Sequence, residues 1–311
     1  AYLHSKGKKN KNSMESSASS MAHVFLILSV MFTLFSSSNG VVKGAFEENF
    51  SKSCPGTHFK TSKDGQIWYL TLDQVSDCGF ITKQSYRFGW YSTKLKLVGG
   101  DSAGVVTAFY MCSEVEAGPL RDEIDFEFLG NRTGQPYLIQ TNVYNNGSGG
   151  REMRHQLWFD PTLDFHTYSI LWNSHQIVFF VDQVPIRVYK NANHTNNFFP
   201  AQRPMYVFSS IWNADNWATR GGLDKINWKN APFVASYKDF TIDACPWKNP
   251  YPACASSTTQ HWWDQNNAWH LSSKEKIDYA WVQRNFVVYN YCQDTVRNKY
   301  KPQECWLNPL D

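Results

Sequence analysis

What this chain has little of is charge. Asp, Glu, Lys and Arg make up 18% of 311 residues, against about a quarter in an ordinary globular protein. The formal net charge of +3 is carried by Lys6, Lys8, Lys9 and Lys11 against Glu15, so the chain beyond residue 40 is neutral. With no basic stripe, neither nucleic acid nor an anionic membrane surface is an expected partner. No apolar run approaches the roughly 20 residues that a membrane-spanning helix needs. Metal-binding patterns such as H-E-x-x-H, C-x-x-C and the EF-hand loop are absent, so no metal and no other cofactor is expected. Fixed-period repeats and low-complexity linkers are missing too. Aromatic residues, in contrast, are abundant: 13 Trp, 16 Tyr and 21 Phe, 16% of the chain. That composition excludes disorder, coiled coil and collagen and implies a folded, aromatic-rich core.

Val24–Phe35 is a short apolar run followed by Ser36-Ser37-Ser38-Asn39-Gly40. It reads as a secretory signal peptide, with cleavage expected after Gly40 or Gly44. Ala1 opens the chain, and Met14 and Met21 can each serve as a start, so residues 1–13 read as no part of the natural product. Residues 1–44 are therefore set aside from the fold, and a secreted protein is expected.

Secretion permits disulfides and N-glycans. Of seven cysteines, Cys245, Cys254, Cys292 and Cys305 fall near the C-terminus. Three connectivities are open to these four. Pairing neighbours, Cys245 with Cys254 and Cys292 with Cys305, is preferred because each bridge closes a short loop. Cys54 and Cys78 are scattered, and Cys112, inside Phe109-Tyr110-Met111-Cys112, reads as a buried free thiol. Sequons occur at Asn49, Asn131, Asn146 and Asn193.

From about residue 66 to 243, short runs of period-2 alternation recur between Gly, Pro, Asn and Asp clusters, the pattern of an all-β sandwich. In Trp90–Leu97 the apolar Tyr91, Leu95 and Leu97 share one face. Val105–Met111, Tyr137–Tyr144, Thr167–Trp172, Gln176–Asp182, Met205–Trp212 and Ser236–Ile242 read alike. A single helix is predicted late, capped by Ser272 with Glu275 completing a capping box, and with Ile277, Ala280 and Trp281 as its apolar stripe. The expected organisation is a β-sandwich domain over 45–243 and a disulfide-stapled extension over 244–311, too small to fold alone and packed on the sandwich.

The chemistry concentrates in Arg121-Asp122-Glu123-Ile124-Asp125-Phe126-Glu127-Phe128-Leu129-Gly130. In a strand, Glu123, Asp125 and Glu127 share one face while Ile124, Phe126 and Phe128 take the other. Three like charges in a row destabilise a strand, and acids are depleted from strands, so a functional reason is indicated. Glycoside hydrolysis needs two carboxyl groups flanking the scissile bond, and Glu123 and Glu127 fit those parts. Their α-carbons lie about 13 Å apart on an extended strand, from which the side chains can reach either a retaining or an inverting separation. Asp125 between them is expected to push their pKa values apart and keep Glu127 protonated. Gly100-Asp101-Ser102-Ala103-Gly104 matches the G-x-S-x-G nucleophile elbow, but it is followed by a strand pattern rather than a helix and reads as a turn.

Asp-Glu-Ile-Asp-Phe-Glu-Phe-Leu-Gly at 122–130 with the sequon at Asn131 resembles the plant xyloglucan endotransglucosylase/hydrolase family, related to the bacterial lichenases. So do Gln140-Thr141-Asn142-Val143-Tyr144, Leu157-Trp158-Phe159-Asp160-Pro161, Trp212–Gly222 and Tyr289-Asn290-Tyr291-Cys292. The resemblance spans residues 45–311. It implies a curved jelly roll and a retaining mechanism with Glu123 as nucleophile, Glu127 as acid/base and Asp125 as helper. It also implies an N-glycan on Asn131 and xyloglucan contacts at Gln140, Thr141, Asn142, Arg151, Glu152, Arg154, Asn216, Trp217, Gly221 and Arg297. Chemistry agrees: amides and charged groups bond sugar hydroxyls, and Trp212 and Trp217 offer flat faces for stacking. Arg121 departs from the pattern, since many relatives carry His there.

The expected activity is transfer of xyloglucan's β-1,4-glucan backbone from a donor chain to a xyloglucan acceptor, in the cell wall and apoplast, by a monomer. Net hydrolysis competes for the same intermediate. The short loop Asn145–Gly150 favours transfer, because hydrolytic relatives carry a longer one. A non-catalytic, glycan-binding jelly-roll lectin is the alternative of a different class, marked by a broken acid trio, and this trio is intact.

Overall fold

The alternating runs become fifteen strands among the described residues of the computed structural model, which are 46–191, 198–248, 254 and 261–311. The leader expected over 1–44 and the sequon at Asn193 lie outside them. In chain order the strands are β1 (Phe50–Lys52), β2 (Phe59–Thr61), β3 (Trp68–Leu72), β4 (Cys78–Thr82), β5 (Tyr86–Lys96), β6 (Val105–Cys112), β7 (Glu123–Leu129) and β8 (Leu138–Tyr144). They continue as β9 (Met153–Gln156), β10 (His166–Trp172), β11 (Gln176–Val181), β12 (Val184–Lys190), β13 (Tyr206–Asn213), β14 (Phe233–Pro246) and β15 (Val287–Asn290).

These form an eight-stranded sheet, β1-β4-β13-β6-β7-β8-β9-β15, and a seven-stranded one, β12-β11-β10-β5-β14-β3-β2. Neighbouring strands run antiparallel, so each can present one apolar and one polar face. Each sheet turns an apolar face inward. Ile124, Phe126 and Phe128 of β7 are fully buried. Phe126 meets Phe179 of β11 edge-on at 5.1 Å, and Phe128 meets Tyr168 of β10 at 4.6 Å. The acidic strand is thus held from behind by aromatic packing across the sandwich, an arrangement that adds about 0.5–1.5 kcal/mol per ring pair beyond area burial. Arg187 of β12 crosses the same interior, its Nη1 donating to the carbonyl and the hydroxyl of Thr141, each at 2.9 Å.

Three disulfides close the described residues: Cys54–Cys78, Cys245–Cys254 and Cys292–Cys305. Cys54 and Cys78, scattered in sequence, are brought together where the N-terminal strands meet β4. Cys112 is buried and unbridged. Ser102 is fully buried, with its hydroxyl 3.1 Å from the Tyr137 hydroxyl, so the G-x-S-x-G match is a turn between β5 and β6 with no exposed nucleophile.

The late helix spans Ser273–Asn285, and Ser272 and Glu275 form the reciprocal capping box. Its stripe differs from the expectation. Ile277 is 69% exposed and Trp281 39%, whereas Tyr279 and Val282 are buried. The helix turns that face because it docks on β12, where Gln283 Nε2 donates to the Ile186 carbonyl at 2.9 Å. Trp281 packs instead against Trp158 and Phe286 in a surface cluster. Beyond the helix, β15 adds itself to β9 as the last strand of the eight-stranded sheet. The extension therefore touches both sheets.

Candidate active site

Antiparallel register turns the alternation of β7 into rows of side chains across the sheet. Glu127 pairs with Ala108 of β6 and Gln140 of β8, and Gln140 pairs with Arg154 of β9. Asp125 pairs with Tyr110 and Asn142, and Glu123 with Cys112 and Tyr144. Because side chains at paired positions share a face, the acids stand on the sheet's outer surface with polar and aromatic neighbours on both sides. They line a cleft of about 390 Å³ with Arg121, Tyr110 and Trp212.

Each acid has a different environment. Glu127 accepts from Gln140 Nε2 at 2.7 Å, and Gln140 Oε1 in turn accepts from Arg154 Nε at 2.7 Å. Burial pushes the Glu127 carboxyl up to about 7; the bond from Gln140 opposes this, and the charges of Glu123 and Glu152 add to it. The main cause is thus desolvation, with Glu123 rather than Asp125 supplying the nearby charge, which corrects the expected role of Asp125 in keeping Glu127 protonated. Asp125 is itself the buried member, 4% exposed. Burial first, then the charges of Glu123 and Glu127 and a hydrogen bond with Glu123, hold its carboxyl well above the usual range. The protonated form of Asp125 is thereby favoured beside Glu123. Glu123 Oε2 accepts from Arg121 Nε and lies 3.5 Å from the Cys112 thiol. A carboxyl raised by burial beside one held by an arginine is the pairing that acid/base and nucleophilic roles require.

The other expected site residues divide by position. Gln140, Asn142 and Arg154 lie on the acids' face. Asn142 is buried and accepts from the Arg151 backbone N–H at 2.9 Å. Thr141 is a correction: one residue out of phase with Gln140 and Asn142, it points into the core, fully buried and bonded to Arg187, and cannot touch a ligand in the cleft. Arg151 turns to the extension, its Nε donating to Glu304 at 2.9 Å and its guanidinium 3.4 Å from the Phe198 ring centre. That is a scaffold contact. Glu152 pairs with Arg297 at 2.6 Å, which sets an exposed ion pair on the β9 side, beyond Arg154. On the opposite side Trp212 and Trp217 are half-buried with ring centres 6.0 Å apart. Asn216 and Gly221 are exposed in the following loop, where Gly221 has φ +69° and open space around it. Asn131 is separated from the end of β7 by Gly130 alone, its side-chain amide nitrogen donating to the Pro136 carbonyl at 2.9 Å.

Sequence reasoning missed the direct contact of Arg121 with Glu123. Its signal was present in the basic residue two positions before the first acid of the strand, on the same face. The turn at 145–150 is tight, closed by a bridge between Asn145 and Ser148, with the Gly147 N–H donating to the Arg121 carbonyl at 2.7 Å.

The sequence model for glycosyl hydrolases family 16 matches residues 46–230, and that for the xyloglucan endo-transglycosylase C-terminus matches residues 257–305. The chain is 65% identical over 295 residues to probable xyloglucan endotransglucosylase/hydrolase protein 8 of Arabidopsis thaliana, covering 94% of this chain and 96% of that protein. It is 48% identical over 293 residues to xyloglucan endotransglucosylase protein 6 of Diospyros kaki, covering 92% and 96%. Among solved structures, the Bacillus licheniformis β-glucanase superposes with a TM-score of 0.54 at 23% identity, over 66% of this chain and 96% of the other. The Crh5 transglycosylase superposes with a TM-score of 0.53 at 20% identity, over 67% and 82%. These two likenesses establish the shared jelly-roll fold.

Proposed function

Since the chain belongs to glycosyl hydrolases family 16, in its xyloglucan endotransglucosylase/hydrolase branch, we propose that it cuts the β-1,4-glucan backbone of xyloglucan and passes the cut chain to a second xyloglucan molecule. The observation that carries this reading is the row of Glu123, Asp125 and Glu127 along one open cleft, with one carboxyl raised to about 7.

Glu123 attacks the anomeric carbon as Glu127 gives its proton to the departing sugar oxygen, which leaves a glycosyl-enzyme ester. Asp125, buried and with its protonated form favoured, bonds Glu123 and orients it. An acceptor hydroxyl then attacks the same carbon, Glu127 takes its proton, and Glu123 leaves as the carboxylate. Gln140, held by Arg154, steadies Glu127. The half-buried Trp212 and Trp217 suit sugar stacking on one flank, and Glu152 with Arg297 suits hydroxyl bonding on the other. The tight turn at 145–150 leaves the cleft uncrowded, which supports transfer over hydrolysis. Secretion to the cell wall as a glycoprotein bearing a glycan on Asn131 belongs to the same proposal. It is supported by the signal-like leader and the three disulfides.

The test is one assay with xyloglucan and a fluorescent xyloglucan oligosaccharide, read for labelled polymer and for new reducing ends. Labelled polymer should form, and Glu123→Gln should abolish it while polysaccharide binding persists. A parent protein that makes reducing ends but incorporates no label is a hydrolase. One that does neither, with Glu123→Gln binding xyloglucan equally, is a binding protein.

A further inference from the structure

We infer that Arg121 is a positioning residue that sets the geometry of Glu123 and eases its departure from the glycosyl-enzyme. This inference rests on the reading of Glu123 as nucleophile.

The backbone at Arg121 is fastened on every side. Its N–H donates to the Gly118 carbonyl at 3.2 Å, and its carbonyl accepts from Gly147 at 2.7 Å. Gly147 has φ +78°, and a Cβ there would fall 2.2 Å from the Pro119 carbonyl oxygen, so only glycine lets the 145–150 turn lie this close. The next residue, Asp122, is buried. It accepts from the Asn146 N–H at 2.8 Å and from Arg203 Nη1 at 2.9 Å, and its own N–H donates to Ser113 Oγ at 2.8 Å. A side chain launched from so fixed a base has few orientations.

That side chain is aimed at one atom. Nε donates to Glu123 Oε2, and the guanidinium carbon lies 5.3 Å from the centre of the Tyr144 ring, in cation–π range. Both residues line the cleft, with side-chain exposures of 31% for Arg121 and 15% for Glu123, so the pair is largely shielded from water. A planar guanidinium held by a ring keeps its donor direction in a way a lysine cannot.

The contact acts unequally on the two chemical steps. In the first, a Glu123 oxygen forms a bond to the anomeric carbon and its charge is lost, so a donor that prefers a carboxylate opposes the change. In the second, the acceptor oxygen bonds to that carbon, its proton passes to Glu127, and the ester C–O bond breaks with its electron pair returning to Glu123. Charge reappears on the group that Arg121 holds, and a charge-assisted hydrogen bond is about twice as strong as a neutral one. Removing Arg121 should therefore slow the second step while sparing the first.

Arg121→Ala is expected to lower kcat about 10- to 100-fold, the range of one charged hydrogen bond. The donor KM should fall with it, leaving donor kcat/KM within about threefold, because glycosyl-enzyme accumulates. Acid-quenched intact mass spectrometry should show that adduct, and millimolar guanidinium should restore part of kcat. A kcat within twofold of the parent overturns the inference. So does a raised KM at constant kcat, the mark of a plain substrate contact, or an equal loss of kcat and kcat/KM without adduct. Should Arg121→Ala fail to fold, Arg121→Lys must show the same adduct to a smaller extent, and its absence overturns the inference equally. A parent without activity on xyloglucan, or a Glu123→Gln variant as active as the parent, would instead defeat the functional reading beneath it.

Discussion

At a single carboxyl, Glu127, activity and stability should both fall with rising pH. A general acid works only while protonated, so turnover should decline as pH passes about 7. The stability sign agrees. The folded pKa lies above the ordinary glutamate value of 4.5, so the contribution is fully present below that value and is lost as pH rises toward about 7. A shift of this size corresponds to at most about 3.5 kcal/mol. Denaturant titrations at pH 5 and pH 8 should show the parent losing stability across that interval. Glu127→Gln, which still accepts from Gln140 but carries no charge, should lose less, although it is inactive. An equal loss in both would place the pH dependence elsewhere, with Asp125 the next candidate.

At the scale of elements, the face a strand shows was readable and the face a helix shows was not. Alternation in β7 put acids on one side and Ile124, Phe126 and Phe128 on the other because a pleat has only two faces. The same rule separates Thr141 from Gln140 and Asn142, a distinction lost when the run is taken over whole from a resemblance. The helix offered Ile277 and Trp281 as its apolar pair, yet a short helix on a large sandwich buries whichever side meets β12. Val282→Ala should therefore cost about 2 kcal/mol in chemical denaturation, and Ile277→Ala less than about 0.5. The reverse order would mean the helix docks through its other side. The Arg121 contact left only a faint trace, a basic residue two positions before Glu123 and just outside the strand, which alternation alone does not aim at a particular carboxyl. Cys54 and Cys78, 24 residues apart, likewise show no spacing that would pair them.

For the whole molecule, two sheets and an extension divide the work. The seven-stranded sheet packs behind β7, and the eight-stranded one carries the cleft. The extension reaches the cleft's flank through Arg297 and grips Arg151 through Glu304. Breaking Cys292–Cys305 by Cys292→Ser with Cys305→Ser should cost about 2–4 kcal/mol and raise the acceptor KM, since Arg297 lies between the two cysteines in sequence. A kcat loss at unchanged acceptor KM would argue against an acceptor role for that flank. Trp217→Ala should lower labelled polymer more than it lowers glycosyl-enzyme formation, raising the hydrolysed share, because a filled acceptor position raises the local concentration of the attacking hydroxyl over water. An unchanged product ratio would remove Trp217 from the acceptor side. The sandwich was legible from strand spacing, but β15 was not, since Val287–Asn290 is four residues in a segment that reads as loop and staple.

β15 has a consequence in time. Every other strand of the cleft-bearing sheet is complete by residue 213, and its outer neighbour β9 by residue 156, so β9 waits as an open edge while more than a hundred further residues are synthesised. At about 5–20 residues per second, that wait lasts several seconds or longer. An unpaired edge invites pairing with another chain, and the strand that seals it also leads into the segment bearing Arg297. Ribosome-stalled chains ending before residue 287 should therefore bind strand-seeking chaperones or one another, and release into full length should end that binding as the Arg297 flank forms. The finished enzyme and the finished edge arrive in the same folding event.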